Sequence, residues 1–281
     1  LFGKTRQAWY LRQKSGKEKS LEQTIVVATV QQIREQMPRI GTRKLHYMLK
    51  DTLQKHHISI GRDKLFDILC DHGLLVRRRK RKRIHTTDSN HPFRKYPNLI
   101  KGLHVLRANH LWVSDITYIS LHDGFCYLSL VTDAYSRKII GYCLYPTLKK
   151  EGPLRALDMA INSLDHKPKV PLIHHSDRGL QYCCSQYITH LESMSMSISM
   201  TEKGDPYENA IAERVNGILK SEFALDRDFP SFTQAQTAIQ QAINTYNQLR
   251  PHASCNYLTP QQAHLQTGSL KSKWKRRLVM T

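Results

Sequence analysis

Residues 111 to 145 read LWVSDITYISLHDGFCYLSLVTDAYSRKIIGYCLY, with runs rich in Val, Ile, Tyr and Leu at 111 to 120, 125 to 132 and 138 to 145. β-Branched and aromatic side chains suit a pleated, half-buried surface. Asp123-Gly124 and the polar stretch around Ser136 supply turns, so three consecutive hairpin-linked strands are predicted. Farther along, a helix at about 151 to 165 leads to strand KVPLIHH (169 to 175), and a helix at about 184 to 194 leads to a short strand, 196 to 200. Antiparallel strands followed by strands reached through helices imply an α/β fold: a mixed five-stranded sheet with helices on both faces. No internal repeat is present.

Upstream the periodicity is helical. Residues 21 to 37 (LEQTIVVATVQQIREQM) read as a helix that stops at Pro38, because proline cannot continue the hydrogen-bond ladder. A second helix follows Gly41, with Leu45, Met48, Leu49 and Leu53 on one face. A third spans about Gly61 to Asp71, with Leu65, Ile68 and Leu69 inward and Gly73 as a left-handed cap. Three short helices joined by tight turns suggest a helix-turn-helix module with 62 to 71 entering the DNA groove. A plain helical bundle packed on the next domain would show the same pattern.

The formal charge is +20, and it is unevenly placed: residues 1 to 100 hold 23 Lys and Arg against 8 Asp and Glu, leaving 20 against 15 for the remainder. The front is therefore the end expected to bind a polyanion. Its densest part is the run Arg77, Arg78, Arg79, Lys80, Arg81, Lys82 and Arg83, whose like charges keep it extended unless phosphates neutralise them. From Ile84 to Lys101, prolines and polar residues read as a linker. No stretch approaches the roughly 18 apolar residues of a spanning helix, so no membrane role is expected. No signal peptide is read, and the six cysteines form no CxxC pair, which fits reduced thiols in the cytoplasm. The chain starts at Leu1 rather than Met, as expected of a fragment, a processed product or the downstream part of a longer reading frame.

Three carboxylates stand apart from the other acids by their surroundings. Asp115 interrupts an apolar strand, where a buried charge costs several kcal/mol unless paired. A metal ion is one such partner; a hydrogen-bonded turn or an arginine is another. Asp177 ends a strand in HHSDRG, at the carboxyl edge where α/β folds bind ligands, and Gly179 is expected to let the chain turn sharply. Glu213 is placed on a helix for which Asp205 and Pro206 read as N-cap and first residue, with Glu208 completing the cap. On that helix Ile211, Val215, Ile218 and Leu219 form the apolar stripe, and Asn209, Glu213, Asn216 and Lys220 recur opposite it, as they would also on a merely solvated face. A zinc set of His174, His175, Asp177 and His190 fits less well, because the two adjacent histidines of a strand point to opposite faces and do not easily reach one ion; Cys183-Cys184 has the same fault. No GxxxxGK[ST] phosphate loop is present.

Taken together, WVSDITYI (112 to 119), HSDRGLQY (175 to 182), GDPYENAIAE (204 to 213) with Lys220, and YNQLRPH…LTP (246 to 260) resemble the OrfB product of the IS-three family of bacterial insertion sequences. The resemblance runs from about residue 20 to 268, with the blocks in the family's order, and the family is itself similar to retroviral integrases. It implies an RNase H-like core in which Asp115, Asp177 and Glu213 are catalytic and bind two Mg²⁺ ions, replaceable by Mn²⁺, while Lys220 contacts DNA near the reacting end. Cys255 departs from the family's usual leucine.

The implied organisation is a helix-turn-helix domain with its basic arm at 1 to 83, a linker at 84 to 108, an integrase-like catalytic core at 109 to 268 and a basic tail at 269 to 281. The expected activity is that of a DNA transposase that cleaves at terminal inverted repeats and joins the 3′-OH end to target DNA; the alternative is an inactive repeat-binding repressor. Expected partners are the inverted repeats, target DNA, further copies of the chain on DNA, and an OrfA fusion or partner. A nucleoid-associated place in the bacterial cytoplasm follows. Each phosphate neutralised by Lys or Arg releases condensed counterion. Replacing Arg77 to Arg83 with alanine is therefore predicted to weaken binding to every duplex and to flatten the plot of log affinity against log salt, as titrations at several salt concentrations would show.

Overall fold

The computed structural model describes residues 6–76, 92–164, 171–202 and 208–270, with side chains from Ser20 onward. The chain divides into two compact units, Leu1–Lys80 and Arg81–Thr281. The basic run Arg77 to Arg83 lies outside the described residues.

The first unit holds α1 (Arg6–Gln36), α2 (Thr42–Met48), α3 (Lys50–Lys55) and α4 (Arg62–Asp71). Helix α1 ends just before Pro38, as predicted, but begins fifteen residues before the predicted start at 21. Residues 6 to 20 are mostly polar and basic, with good helix formers and no apolar period to mark them. The predicted second helix is broken in two at Leu49, although Leu45, Leu49 and Leu53 still share the buried side. Val26, Val30, Leu65, Ile68 and Leu69 of α1 and α4 are buried as well. Helix α4 closes as expected: Gly73 is left-handed at φ 66°, its N–H donates to Cys70 and that of Leu74 to Leu69 at 2.7 Å.

The second unit is built on β1 (Leu111–Leu121), β2 (Gly124–Asp133), β3 (Ile139–Tyr145), β4 (Ile173–Ser176) and β5 (Ser197–Met200). Their order is β3-β2-β1-β4-β5. Strands β1, β2 and β3 pair antiparallel, while β1–β4 and β4–β5 are parallel. This is the mixed five-stranded sheet predicted, with the topology of the RNase H-like fold. Helices α5 (Glu151–Asn162), α6 (Leu180–Cys183) and α7 (Ser185–Ser193) accompany α8 (Ala210–Glu222), α9 (Phe232–Gln248) and α10 (Pro260–His264).

Strand alternation sorts the core into two layers. Trp112 faces α5 and α7, packing with Ala156, Leu157, Tyr187 and Leu191, whereas Leu111 and Val113 face Ala212 of α8. The α5 layer depends on a close approach. A Cβ added at Gly141 of β3 would lie 2.0 Å from the Ala156 carbonyl oxygen and 2.9 Å from the Ala160 side chain. The obstacle is helix backbone, which cannot step aside without moving α5. Gly141→Ala is therefore predicted to cost about 3 kcal/mol or to prevent folding. Gly152→Ala, whose Cβ would meet the Ser129 hydroxyl at 3.2 Å, should be milder in the same thermal melts.

Candidate active site

The parallel pairing of β1 with β4 ends at Val113 opposite His175. Asp115 and Asp177 each lie two residues farther on, so strand alternation brings both to the same register where the strands part. Both line one pocket, together with Tyr118, Tyr127, Gln181 and Tyr182. The Asp115 oxygens are held separately: Oδ1 accepts from the Ile116 N–H at 2.9 Å and Oδ2 from Asn216 Nδ2 at 2.8 Å. Asp177 Oδ1 accepts from the Gly179 N–H at 3.0 Å. Gly179 does not serve as the sharp turn predicted, since its φ of −65° is open to any residue. What the missing side chain provides is room, because a Cβ there would stand 3.0 Å from Asp177 Oδ1.

Two carboxylates in one half-buried pocket oppose each other's ionisation. Burial pushes Asp115 up to about 7, with the Asp177 charge adding to it; hydrogen bonds from Asn216 and Ile116 act the other way, and Glu213 adds a smaller upward push.

Helix α8 runs along β1 and supplies the polar face predicted for it. Asn209 Nδ2 donates to the Ser114 carbonyl at 3.0 Å, Asn216 reaches Asp115, and Lys220 Nζ sits 4.1 Å over the Tyr118 ring. Glu213 is on this face, exposed, in the first turn. Among the described residues, no three His, Cys, Asp or Glu side chains stand close enough together to hold a metal ion. The structure thus joins Asp115 with Asp177 and places Glu213 within electrostatic range of Asp115.

The predicted helix start needs correction. Helix α8 begins at Ala210, Asn209 is its N-cap and makes no side-chain cap hydrogen bond, and Asp205 and Pro206 lie outside the described residues. Glu208 precedes the helix and ties two other segments together, accepting from Asn98 Nδ2 at 3.1 Å and from the Glu202 N–H at 2.6 Å. Composition suggested a cap because Asp-Pro is a common helix opening; long-range partners outweigh that local preference.

The zinc reading meets the obstacle foreseen for it. His174 Nε2 lies 2.8 Å from Ser114 Oγ and 3.0 Å from Tyr187 OH, while His175 Nδ1 lies 2.8 Å from Ser199 Oγ. Burial drives His174 down to about 3 and His175 to about 4, so both are neutral structural groups. All six cysteines are free thiols. Cys255 is fully buried against the carbonyls of Tyr135 and Ser136, so the site that departs from the family's leucine is well packed.

One arrangement was not read from the sequence. Arg250 is 1% exposed and grips Glu222 with two hydrogen bonds of 2.9 Å, from Nε to Oε2 and from Nη2 to Oε1. This bidentate pair fastens the last residue of α8 to the chain just after α9, and the Arg250 guanidinium also lies over the Tyr246 ring. The available signal was an arginine inside YNQLRPH, but its partner lies 28 residues away.

Residues 106–206 match the integrase core domain family, and residues 194–260 match a second family of the same description. The chain is 33% identical over 265 residues, 92% of its length and 94% of the relative's, to the insertion element IS600 uncharacterized 31 kDa protein of Shigella sonnei. It is 34% identical over 166 residues to the transposase for insertion sequence element IS904 of Lactococcus lactis, covering 58% of this chain and 65% of that one. It is also 34% identical over 155 residues to the transposase InsF for insertion sequence IS3A of Escherichia coli K12, covering 55% and 53%. Among solved structures, the HTLV-2 integrase catalytic core domain in complex with magnesium is similar over 57% of this chain and 99% of its own, at 22% identity and a TM-score of 0.46.

Sheet order and sequence matches together define an RNase H-like integrase core, the scaffold of DDE-type polynucleotidyl transferases. The chain belongs to the IS3 family of insertion-sequence transposases.

The raised Asp115 value carries a signed prediction. From the ordinary carboxylate value of 3.8 up to about 7, the folded state holds a proton that the unfolded state has released. Metal-free stability must therefore fall as pH rises through that window. Asp115→Asn is predicted to melt higher than the wild type at pH 8 in EDTA, by on the order of 2 kcal/mol, and to match it near pH 4. Calorimetry across this range checks both ends.

Proposed function

We propose that this chain cuts a DNA strand at the 3′ ends of its element's terminal inverted repeats and joins the freed 3′-OH to another DNA strand. The observation that carries this reading is the meeting of Asp115 and Asp177 in one pocket, with α8 and Glu213 docked beside it.

The donor set fits a hard divalent cation. It offers carboxylate oxygens, and a cation would offset both the burial that chiefly raises Asp115 and the Asp177 charge that adds to it. Asp115 and Asp177 would hold Mg²⁺, with Mn²⁺ able to substitute, and the exposed Glu213 side chain would have to swing toward them to complete the set. Bound divalent ions supply activation of an attacking oxygen and stabilisation of a leaving one in phosphoryl transfer.

The chain's own residues supply the positioning. Asn216 and the Ile116 N–H fix both oxygens of Asp115, and the Gly179 N–H fixes Asp177. Lys220, held over Tyr118 beside the pocket, is a cation for a DNA phosphate near the reacting end. Water serves as nucleophile for cutting and the DNA 3′-OH for joining, so one site serves both steps without a covalent enzyme intermediate.

Residues 1 to 83 act as the DNA-reading front, with α4 in the groove and Arg77 to Arg83 on phosphates. Residues 84 to 108 form the linker, 109 to 268 the catalytic core and 269 to 281 a basic tail. Support for the front comes from the +20 charge and its concentration there. Further copies of the chain assemble on the element ends, an OrfA product acts as fusion or partner, and a copied-out circular form is the family's expected intermediate. A place with the nucleoid in the bacterial cytoplasm follows from acting on DNA; no helix among the described residues is long and apolar enough to cross a membrane. No observation favours the non-cutting repressor, and the sequence carries all three acids.

The test is incubation of labelled element-end DNA with Mg²⁺ or Mn²⁺. Asp115→Asn, Asp177→Asn and Glu213→Gln are each expected to abolish cutting and joining while DNA binding stays within about threefold, since affinity rests with the basic front. Glu208→Gln, which weakens a tie outside the carboxylate group, should cost about 1 kcal/mol of stability and keep both activities. Retention of cutting by all three carboxylate variants would remove the basis of this mechanism.

A further inference from the structure

An aromatic surface leads outward from the carboxylate pocket along the β1–β2 hairpin. Tyr118 pairs in register with Tyr127, and Ser120 with Phe125, so all three rings belong to one face of the ribbon. Tyr118 and Tyr127 line the pocket beside Asp115 and Asp177. Phe125 continues the series at the turn, its ring edge-to-face with Tyr118 at 5.6 Å between centroids, and it is 53% exposed. Lys220 Nζ lies 4.1 Å over the Tyr118 ring.

Each member alone has an ordinary explanation: an exposed phenylalanine at a hairpin end is common, and a lysine over a tyrosine is a frequent surface contact. Their continuity is what needs a function. The Tyr118 ring at the half-buried pocket touches the exposed Phe125 ring edge-to-face, and the Lys220 ammonium stands over Tyr118. Flat π-faces next to a cation are complementary to an unpaired nucleotide, whose base stacks on an aromatic ring while its phosphate meets the ammonium.

We propose that Tyr118, Phe125 and Lys220 form a stacking platform for an unpaired nucleotide beside the scissile phosphate, so that this chain grips a frayed DNA end in preference to a closed one. The proposal rests on the functional reading above and adds a subsite to it. Tyr118 and Phe125 act as positioning residues for DNA, with no part in the chemistry.

The experiment uses the full chain, in EDTA so that binding is read without cutting. Two short duplexes of one sequence are compared by fluorescence anisotropy, one fully paired and one with its last two base pairs mismatched, and 2-aminopurine in the unpaired stretch reports stacking. Wild type is expected to bind the frayed duplex roughly tenfold more tightly and to quench the probe, as one or two stacked bases would give. Phe125→Ala should bring the ratio close to one and lift the quenching, while Phe125→Trp should keep both. Lys220→Ala should weaken binding to both duplexes and lower the salt slope by about 0.7 to 0.9, the value for one phosphate contact. A wild-type ratio near one, or a Phe125→Ala ratio equal to wild type, overturns the platform. Wild type that cuts element ends in Mg²⁺ yet shows no preference loses the platform and keeps the function; wild type that prefers frayed ends and never cuts does the reverse.

Discussion

Asp115 and Asp177 meet because the parallel pairing of β1 and β4 stops at Val113 and His175, two residues short of each acid. Beyond that point the strands diverge and leave a notch that backbone hydrogen bonding does not fill. Two carboxylates share it, and burial first, then the Asp177 charge, pushes the Asp115 carboxyl up to about 7. Much of the surrounding structure serves to hold that unfavourable pair in place. Gly179 leaves room for one carboxylate, Asn216 and a strand N–H restrain the other, and the buried histidines behind them are neutral and add no charge of their own.

Helix α8 works as a ruler laid on β1. Its residues 209, 216 and 220 touch Ser114, Asp115 and Tyr118 in turn, so the helix is fixed in rotation and in register along the strand. At its far end the Glu222–Arg250 pair prevents the helix from sliding. A buried ion pair of this kind is weak evidence of net stabilisation, because desolvating two charges offsets most of their attraction. Its geometry is another matter: two parallel hydrogen bonds accept one arrangement, and loss of either partner leaves a buried charge behind. The distance of Glu213 from the aspartates is therefore set by contacts on both sides of it.

Much of the catalytic unit was legible in the sequence. Strand alternation and turn residues located the three hairpin-linked strands, and the helix-then-strand pattern that follows predicted the parallel pair, because period and punctuation are local properties. The polar face of α8 could be read from helical spacing alone. Less visible were α1 before residue 21, which has no apolar period, and the break at Leu49, where apolar spacing carries on unchanged. Glu208 was misread as part of a cap because a cap and a long-range tie use the same acidic residue, and spacing does not distinguish them.

The sequence by itself determined which side chains could act: the acids in their three blocks, the lysine on the helix, and the cationic stretch in the front. Residue type and local period suffice for that, since they depend on neighbours a few positions away. Tertiary structure decided which of these groups share a space. Asp115 met Asp177 through strand register and Asn216 through helix docking; Glu208 was drawn to Asn98, and Arg250 to Glu222. Partners 28 to 110 residues apart are selected by packing and by the need to satisfy every buried polar group, and a linear chain carries no local mark of that choice.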